Sequence, residues 1–233
     1  MAGKAKKESN KINIDKNDIK NETKKTVDSV KDTIKTVNIK DDTKTTSNFV
    51  IELFKDPLGV IKKLGSDSTN KAFKYALIIA IVWLAAVLIN SLFNRFRYTT
   101  FPSFGVDLLG VIKDLLAPAI GVVTLSATLY ALQKGSRKSM PIILTTVITG
   151  AIPIILVEIL DILTIIGSGM HTIISPIGHF AVLLTAVYEY FVMKSILKID
   201  DDKQAIMKYM IVQAVYFGVY FVIHFMGIYI PLI

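Results

Sequence analysis

Five stretches of this chain are each apolar enough to cross the roughly 30 Å hydrocarbon core of a bilayer, which takes about 20 residues of helix. They are residues 74–93 (KYALIIAIVWLAAVLINSLF), 115–132 (LLAPAIGVVTLSATLYAL), 141–162 (PIILTTVITGAIPIILVEILDI), 177–197 (IGHFAVLLTAVYEYFVMKSIL) and 205–229 (AIMKYMIVQAVYFGVYFVIHFMGIY). A backbone in lipid must satisfy its own polar groups, and segments of this length do so as helices. The expected fold class is therefore all-α: a polytopic membrane protein with five transmembrane helices, preceded by interfacial amphipathic helices and a charged N-terminal tail. A mean hydropathy of +0.51 agrees with that class.

Charge is partitioned along the chain. Residues 1–74 hold 17 of the 27 Lys and Arg and 11 of the 19 Asp and Glu. Because the two signs alternate instead of forming a basic block, the net charge of +8 does not point to nucleic acid. Attraction to an anionic lipid surface accounts for it more simply. Residues 1–47 contain no Pro, no aromatic residue and no Gly after Gly3, so they cannot bury enough apolar surface to fold alone. They are expected to form a largely disordered, Lys-rich cytoplasmic tail. Val27, Val30, Ile34 and Val37 interrupt it with a narrow apolar stripe on a short helix from about Lys24 to Val37. That helix is either nascent structure in a tether or a docking element for a partner.

The N-terminus is polar and lacks the apolar core of a cleavable signal peptide, which leaves targeting to the first span. With zero cysteines there is no disulfide, thiolate metal site or palmitoylation site. Loop charge sets the orientation, since cytoplasmic loops retain Lys and Arg. The tail is Lys-rich, the second loop holds Lys134, Arg137 and Lys138, and the fourth holds Lys198 and Lys203. GSGMHTIISP, between spans three and four, has neither Lys nor Arg. The N-terminus is thus expected in the cytoplasm and the C-terminus outside, in what the Lys-, Asn- and Ile-rich composition suggests is a prokaryotic cell membrane. Arg95 and Arg97, after the first span, dissent from this scheme.

Between tail and spans lies NFVIELFKDPLGVIKKL, residues 48–64, within an interfacial segment of residues 48–73. Val50, Phe54, Ile61 and Leu64 fall on one side of a discontinuous helix, with Lys55, Lys62 and Lys63 free to meet lipid head groups. Pro57 cannot continue a helix but suits the first turn of a new one, which Asp56 can cap. The segment reads as helix, break and second helix lying along the inner leaflet, and Phe54, Asp56, Pro57, Gly59, Lys62 and Lys63 are its candidate partner-contact residues.

An Asp-Pro-containing interfacial segment (LFKDPLGVIKKL) before five spans resembles the Yip1-domain integral membrane proteins, prokaryotic type. Two further stretches are similar to that family: TLYALQKGSRKSMPIILTTVITGAIPIIL, with Pro153 inside the third span, and AVYEYFVMKSILKIDDDKQAIMKYMIV, with Ala205 opening the fifth. The resemblance covers about residues 48–229, and residues 74–233 would form the five-helix Yip1-like domain. In place of the Asp-Leu-Tyr-Gly-Pro signature of eukaryotic members the chain has KDPLG. The resemblance therefore implies a polytopic fold with a cytoplasmic N-terminal region, and does not carry over their small-GTPase binding.

Ionisable groups within spans are costly and therefore candidate sites. Glu158 and Asp161, three residues apart on one helix face, fall about 25–30 Å from Pro141, near the outer surface. His171 and His179 could approach them, although the spacing is not that of a zinc site. Glu189 lies about 12 Å inside its span and is the candidate buried acid, satisfied either by Tyr hydroxyls or Gln213 or by a substrate or proton. His224, among Tyr216 and Tyr220, reads as a packing histidine. Ala76 with Ala80 and Ala127 with Ala131 permit close helix approach, as in a homo-oligomer. No phosphate-cradling loop, HExxH pair or nucleophile triad is present, so neither an enzyme nor a cofactor is expected. Two functions follow. One is a non-enzymatic Yip1-like protein that organises the membrane or recruits protein partners through its cytoplasmic N-terminal region. The alternative is a small transporter or permease subunit, or an immunity-type membrane protein, that uses an intramembrane acid, with Pro118, Pro153, Gly121 and Gly150 opening backbone groups to a cavity.

Overall fold

The computed structural model describes residues 16–36, 38–66, 70–96, 104–133, 138–165, 167 and 169–225. Among them every regular element is helical. Four helices are long and apolar enough to cross a membrane unaided: Ala72–Arg95, Leu108–Leu132, Met170–Leu197 and Asp202–Phe225. Met140–Gly150 and Ile152–Ile165, bent by 53° at a short break, pass the same test together and make a fifth span when counted as one. Val37, Arg97, Lys134, Arg137 and Tyr229 lie outside the described residues.

The bend has local causes. Thr145, Thr146 and Thr149 each turn a hydroxyl back onto the carbonyl four residues earlier, which loosens a helix. Pro153 then supplies no amide N–H and crowds the carbonyl of residue 149, so the helix stops and restarts at Ala151. The first half, α6 (Met140–Gly150), is buried from Thr145 to Gly150 and forms the centre of the bundle. The first span, α4 (Asn70–Phe96), the second, α5 (Phe104–Leu132), and the fourth, α8 (Met170–Leu197), all pack on it. After the bend, α7 (Ile152–Asp161) runs between α4 and α8, and α9 (Asp202–Phe225) closes the bundle from outside against α5 and α8. Ala76 is buried within this bundle, whereas Ala127 is exposed on its outer surface.

Ahead of the spans stand three helices: α1 (Lys16–Thr36), α2 (Ile39–Lys55) and α3 (Pro57–Ser66). Where the composition predicts a largely disordered tether, residues 16–36 and 39–47 are helical. Partners that the sequence cannot display supply the reason. Helix α1 lies on α4 and α6, and α2 lies on α4. Lys74 of α4 ties them down, its Nζ donating to the Thr36 carbonyl at 2.8 Å and pairing with Asp42 at 2.6 Å. That contact lowers the Asp42 carboxyl below its ordinary range.

The break between α2 and α3 falls at Asp56, as the sequence implies. Asp56 Oδ1 accepts the Gly59 amide at 2.9 Å, a side-chain cap on the first turn of α3. Helix α3 does not rest on lipid alone; it packs across the ends of α6 and α8, burying Val60, Ile61 and Leu64. The expected one-sided face is thereby split. Ile61 and Leu64 are inside, Val50 is half-buried, and Phe54 is exposed because the adjacent Leu53 takes the inward position. At this same end of α8, Lys198 adopts a left-handed conformation (φ 52°) that closes the helix, with the Ile199 amide bonded to the Lys194 carbonyl at 3.2 Å. This conformation costs a side-chain-bearing residue about 1–2 kcal/mol relative to glycine.

A Cβ on Gly59 would clash with Asp56 Oδ2 and must push the cap away. Gly59→Ala gains about 1 kcal/mol of helix propensity and loses about 1 kcal/mol of capping, and so is expected to be nearly neutral. Asp56→Ala alone is expected to cost about 1 kcal/mol, and to cost nothing in the Gly59→Ala background. Hydrogen exchange of the α3 amides in the double-mutant cycle measures both.

Candidate functional site

Three polar constellations stand out against the apolar bundle, and they lie at different depths. The deepest is Glu189, on the buried side of α8. Its Oε2 accepts a hydrogen bond from Gln213 Nε2 of α9 at 3.1 Å, the partner the sequence offers. Leu125, Leu129, Val147 and Val212 stand around it. The space beside it is about 10 Å3, the lower limit for a single water molecule. No solute fits there. Tyr209, one turn before Gln213, donates its hydroxyl to the Ala186 carbonyl at 3.1 Å and does not bond the acid.

The second constellation lies at the end of the bundle away from α1–α3. From Lys74 to Arg95 helix α4 advances about 30 Å, so its last turns reach the opposite side. There Asn90, Ser91 and Arg95 of α4 face Asp114 of α5 and Glu158 and Asp161 of α7 across a cavity of about 410 Å3. Arg95 grips Asp114 with two hydrogen bonds of 2.9 Å, and Ser91 Oγ donates to the same carboxylate at 2.6 Å. Asn90 Nδ2 reaches the Glu158 carbonyl at 2.8 Å and its carboxylate at 3.2 Å. Pro118 also lines the cavity, and because it has no N–H the Asp114 carbonyl loses its helical partner at this level.

The expected grouping of Glu158 and Asp161 with the two histidines does not form. His179 is exposed and its Nδ1 lies 2.8 Å from the Ser175 carbonyl of its own helix, while His171 is exposed near the start of α8. Neither histidine lines the cavity that collects the acids. No group of three or more His, Cys, Asp or Glu able to hold a metal occurs among the described residues. His224 stacks on Tyr220 at 5.7 Å, a packing role. The sequence reading overlooked Asn90 and the Arg95–Asp114 pairing; the only signals were Asn and Ser inside an otherwise apolar span and two lone charges on neighbouring segments.

The third constellation is basic and lies beneath α3. Lys62 of α3, Lys138 before α6, and Lys194 and Lys198 of the α8 terminus line a cavity of about 690 Å3. Lys138 Nζ donates to the Ser195 carbonyl at 2.6 Å, and Lys194 pairs with Asp202 at 2.6 Å. Lys62 and Lys198 are exposed and make no ion pair among the described residues. Burial, and then the charge of Lys198, pull the Lys138 ammonium down to about 8. Of the other candidate contact residues, Phe54, Asp56 and Lys63 are exposed, and Pro57 and Gly59 are half-buried at the α2–α3 break.

No family model, curated protein sequence or solved structure matches the chain.

If Glu189 and Gln213 serve to satisfy each other, Glu189→Gln is expected to leave thermal stability nearly unchanged. Gln213→Leu strands the acid and is expected to cost on the order of 1–3 kcal/mol, read as a fall in Tm in detergent or nanodiscs.

Lys138 gives a pH-dependent signature. Below about pH 8 the folded and unfolded chains both hold its proton and the folded one bears the cost of burying it. As pH rises from about 8 towards 10.5 the folded chain releases that proton first and the cost disappears. The Tm of Lys138→Gln relative to the parent is therefore expected to be most favourable at neutral pH and to decline towards pH 10, as measured by paired melts across that range.

Proposed function

We propose that this chain is a non-enzymatic, Yip1-like multi-pass protein of a prokaryotic cell membrane, which organises the bilayer and recruits protein partners through an N-terminal region on the cytoplasmic side. The observation that carries the reading is the reversed polarity of α1. Its Thr33 is buried, at 7% exposure, while Val27 and Ile34 stand outward at 45% and 59%. Ile51, Phe54 and Leu58 extend the outward apolar set across the α2–α3 break. A helix that docks by its polar side keeps its apolar stripe for something else.

One further observation supports this reading over transport. Glu189, the acid on which a transport mechanism would turn, is paired with Gln213 and has no room beside it for a solute.

Crosslinking and affinity capture from native membranes test the proposal with three forms: the full chain, a form lacking residues 1–47, and the Val27→Asp/Ile34→Asp double variant. Both changed residues are exposed, so the double variant keeps its fold. Partners recovered by the full chain are expected to be lost in both altered forms. Recovery that is unchanged in both would move the function into the five-helix bundle and overturn the reading.

A further inference from the structure

The basic cavity beneath α3 is continuous with an apolar track on α8. Phe180, Leu183, Val187, Phe191, Lys194 and Lys198 follow one another at spacings of three and four residues, so they form one stripe along the helix. Phe180, Leu183 and Val187 are exposed at 65%, 67% and 48%, and Phe191 lines the cavity itself. From Phe180 to Phe191 the stripe runs about 16 Å, close to the thickness of one leaflet. It then changes from apolar to cationic within a single turn. Lys62 and Lys138, from two other elements, converge on the same point, and Asp200 is the one carboxylate on the cavity wall.

We infer that this cavity and stripe together bind one anionic phospholipid, its phosphate among Lys62, Lys138 and Lys198 and one acyl chain along Phe191, Val187 and Leu183. The inference goes beyond partner recruitment and depends only on the bundle lying in a bilayer. Charge complementarity identifies the head group. Lys62 and Lys198 have no carboxylate partner among the described residues, and Lys194 is already engaged by Asp202. The length of the apolar lane distinguishes a lipid from a free phosphate, which would use the lysines and leave the lane idle. Lys198 also keeps its side chain at a left-handed position where glycine would be the unstrained choice, as residues held for a ligand often do. The Lys138 ammonium is lowered first by burial and then by the charge of Lys198, and an anion beside it would offset both.

The test is native mass spectrometry of the purified full chain in a neutral detergent, titrated separately with dioleoyl phosphatidylglycerol, dioleoyl phosphatidylcholine and inorganic phosphate. One saturable phosphatidylglycerol adduct is expected, formed at lower concentration than any phosphatidylcholine adduct and not displaced by an equal concentration of phosphate. Lys62→Gln and Lys198→Gln are each expected to weaken it about fivefold, and about thirtyfold together. Lys55→Gln/Lys203→Gln, which removes the same charge from exposed positions outside the cavity, is expected to leave it unchanged. Equal binding of the two lipids overturns the inference without recourse to any variant. An equal loss in the control pair means diffuse attraction and overturns it too. Displacement by phosphate assigns the cavity to a free anion and rejects the lipid.

Discussion

The buried face of α6 is the contact on which the other helices depend. In lipid there is no hydrophobic force to drive apolar helices together, so association rests on close packing and on local hydrogen bonds. Helix α6 meets that need with Thr145, Thr146, Thr149 and Gly150, whose small side chains let α4, α5 and α8 approach it. A Cβ on Gly150 would come within 2.9 Å of Val192 Cγ2, which shows how near α8 lies at the bend. The threonine hydroxyls are satisfied within their own helix, so none is left needing a partner across the interface. The same back-bonding, with Pro153, breaks the span. Close packing at the centre and the 53° bend beside it therefore arise from one short sequence, TTVITGAIP.

That bend shapes both ends of the bundle. It directs α7 towards the last turns of α4, where Glu158 meets Asn90 and the acids gather around the Arg95–Asp114 pair. At the other end the start of α6 stands beside the end of α8, and α3 can lie across both. Burial of Ile61 and Leu64 there, with the Ser195 hydroxyl on the Ile61 carbonyl at 3.3 Å, makes α3 a part of the bundle. A purely interfacial helix would have left both residues in lipid.

Much of this was legible in the sequence because it depends on local signals. The spans follow from runs of apolar residues, the α2–α3 break from Asp56 and Pro57, and the Glu189–Gln213 pair from two polar groups at matching depth on consecutive spans. Contacts between distant segments were not legible. Nothing near Lys74 announces Thr36 and Asp42 as its partners, and without them the N-terminal region has no visible reason to be helical. Phe54 and Leu53 are neighbours of similar hydrophobicity, and only the angle of the break decides which one turns inward. His179 failed as a companion of Glu158 for a similar reason: helical spacing gives the face within one element but not the rotation of the next.

The two ends of the bundle handle charge in opposite ways, and this difference bears on how the chain sits in a membrane. Around the α4–α5–α7 cavity the one lining arginine is matched by a carboxylate, which also accepts a serine hydroxyl, and the remaining acids have an amide or open space beside them. Under α3 four lysines face one aspartate on the cavity wall, and a second carboxylate-bearing residue, Asp202, reaches only Lys194. A cationic surplus in a partly enclosed site is unfavourable unless an anion is close, because burial weakens solvation and like charges repel. With the bundle placed in a bilayer as proposed, the head-group layer would offer such anions where α8 ends, and the apolar side of α8 would run into the acyl region below. The charge asymmetry that argues for one orientation and the pocket that argues for one lipid thus have the same physical origin: lysines held together by the fold at the boundary between lipid and water.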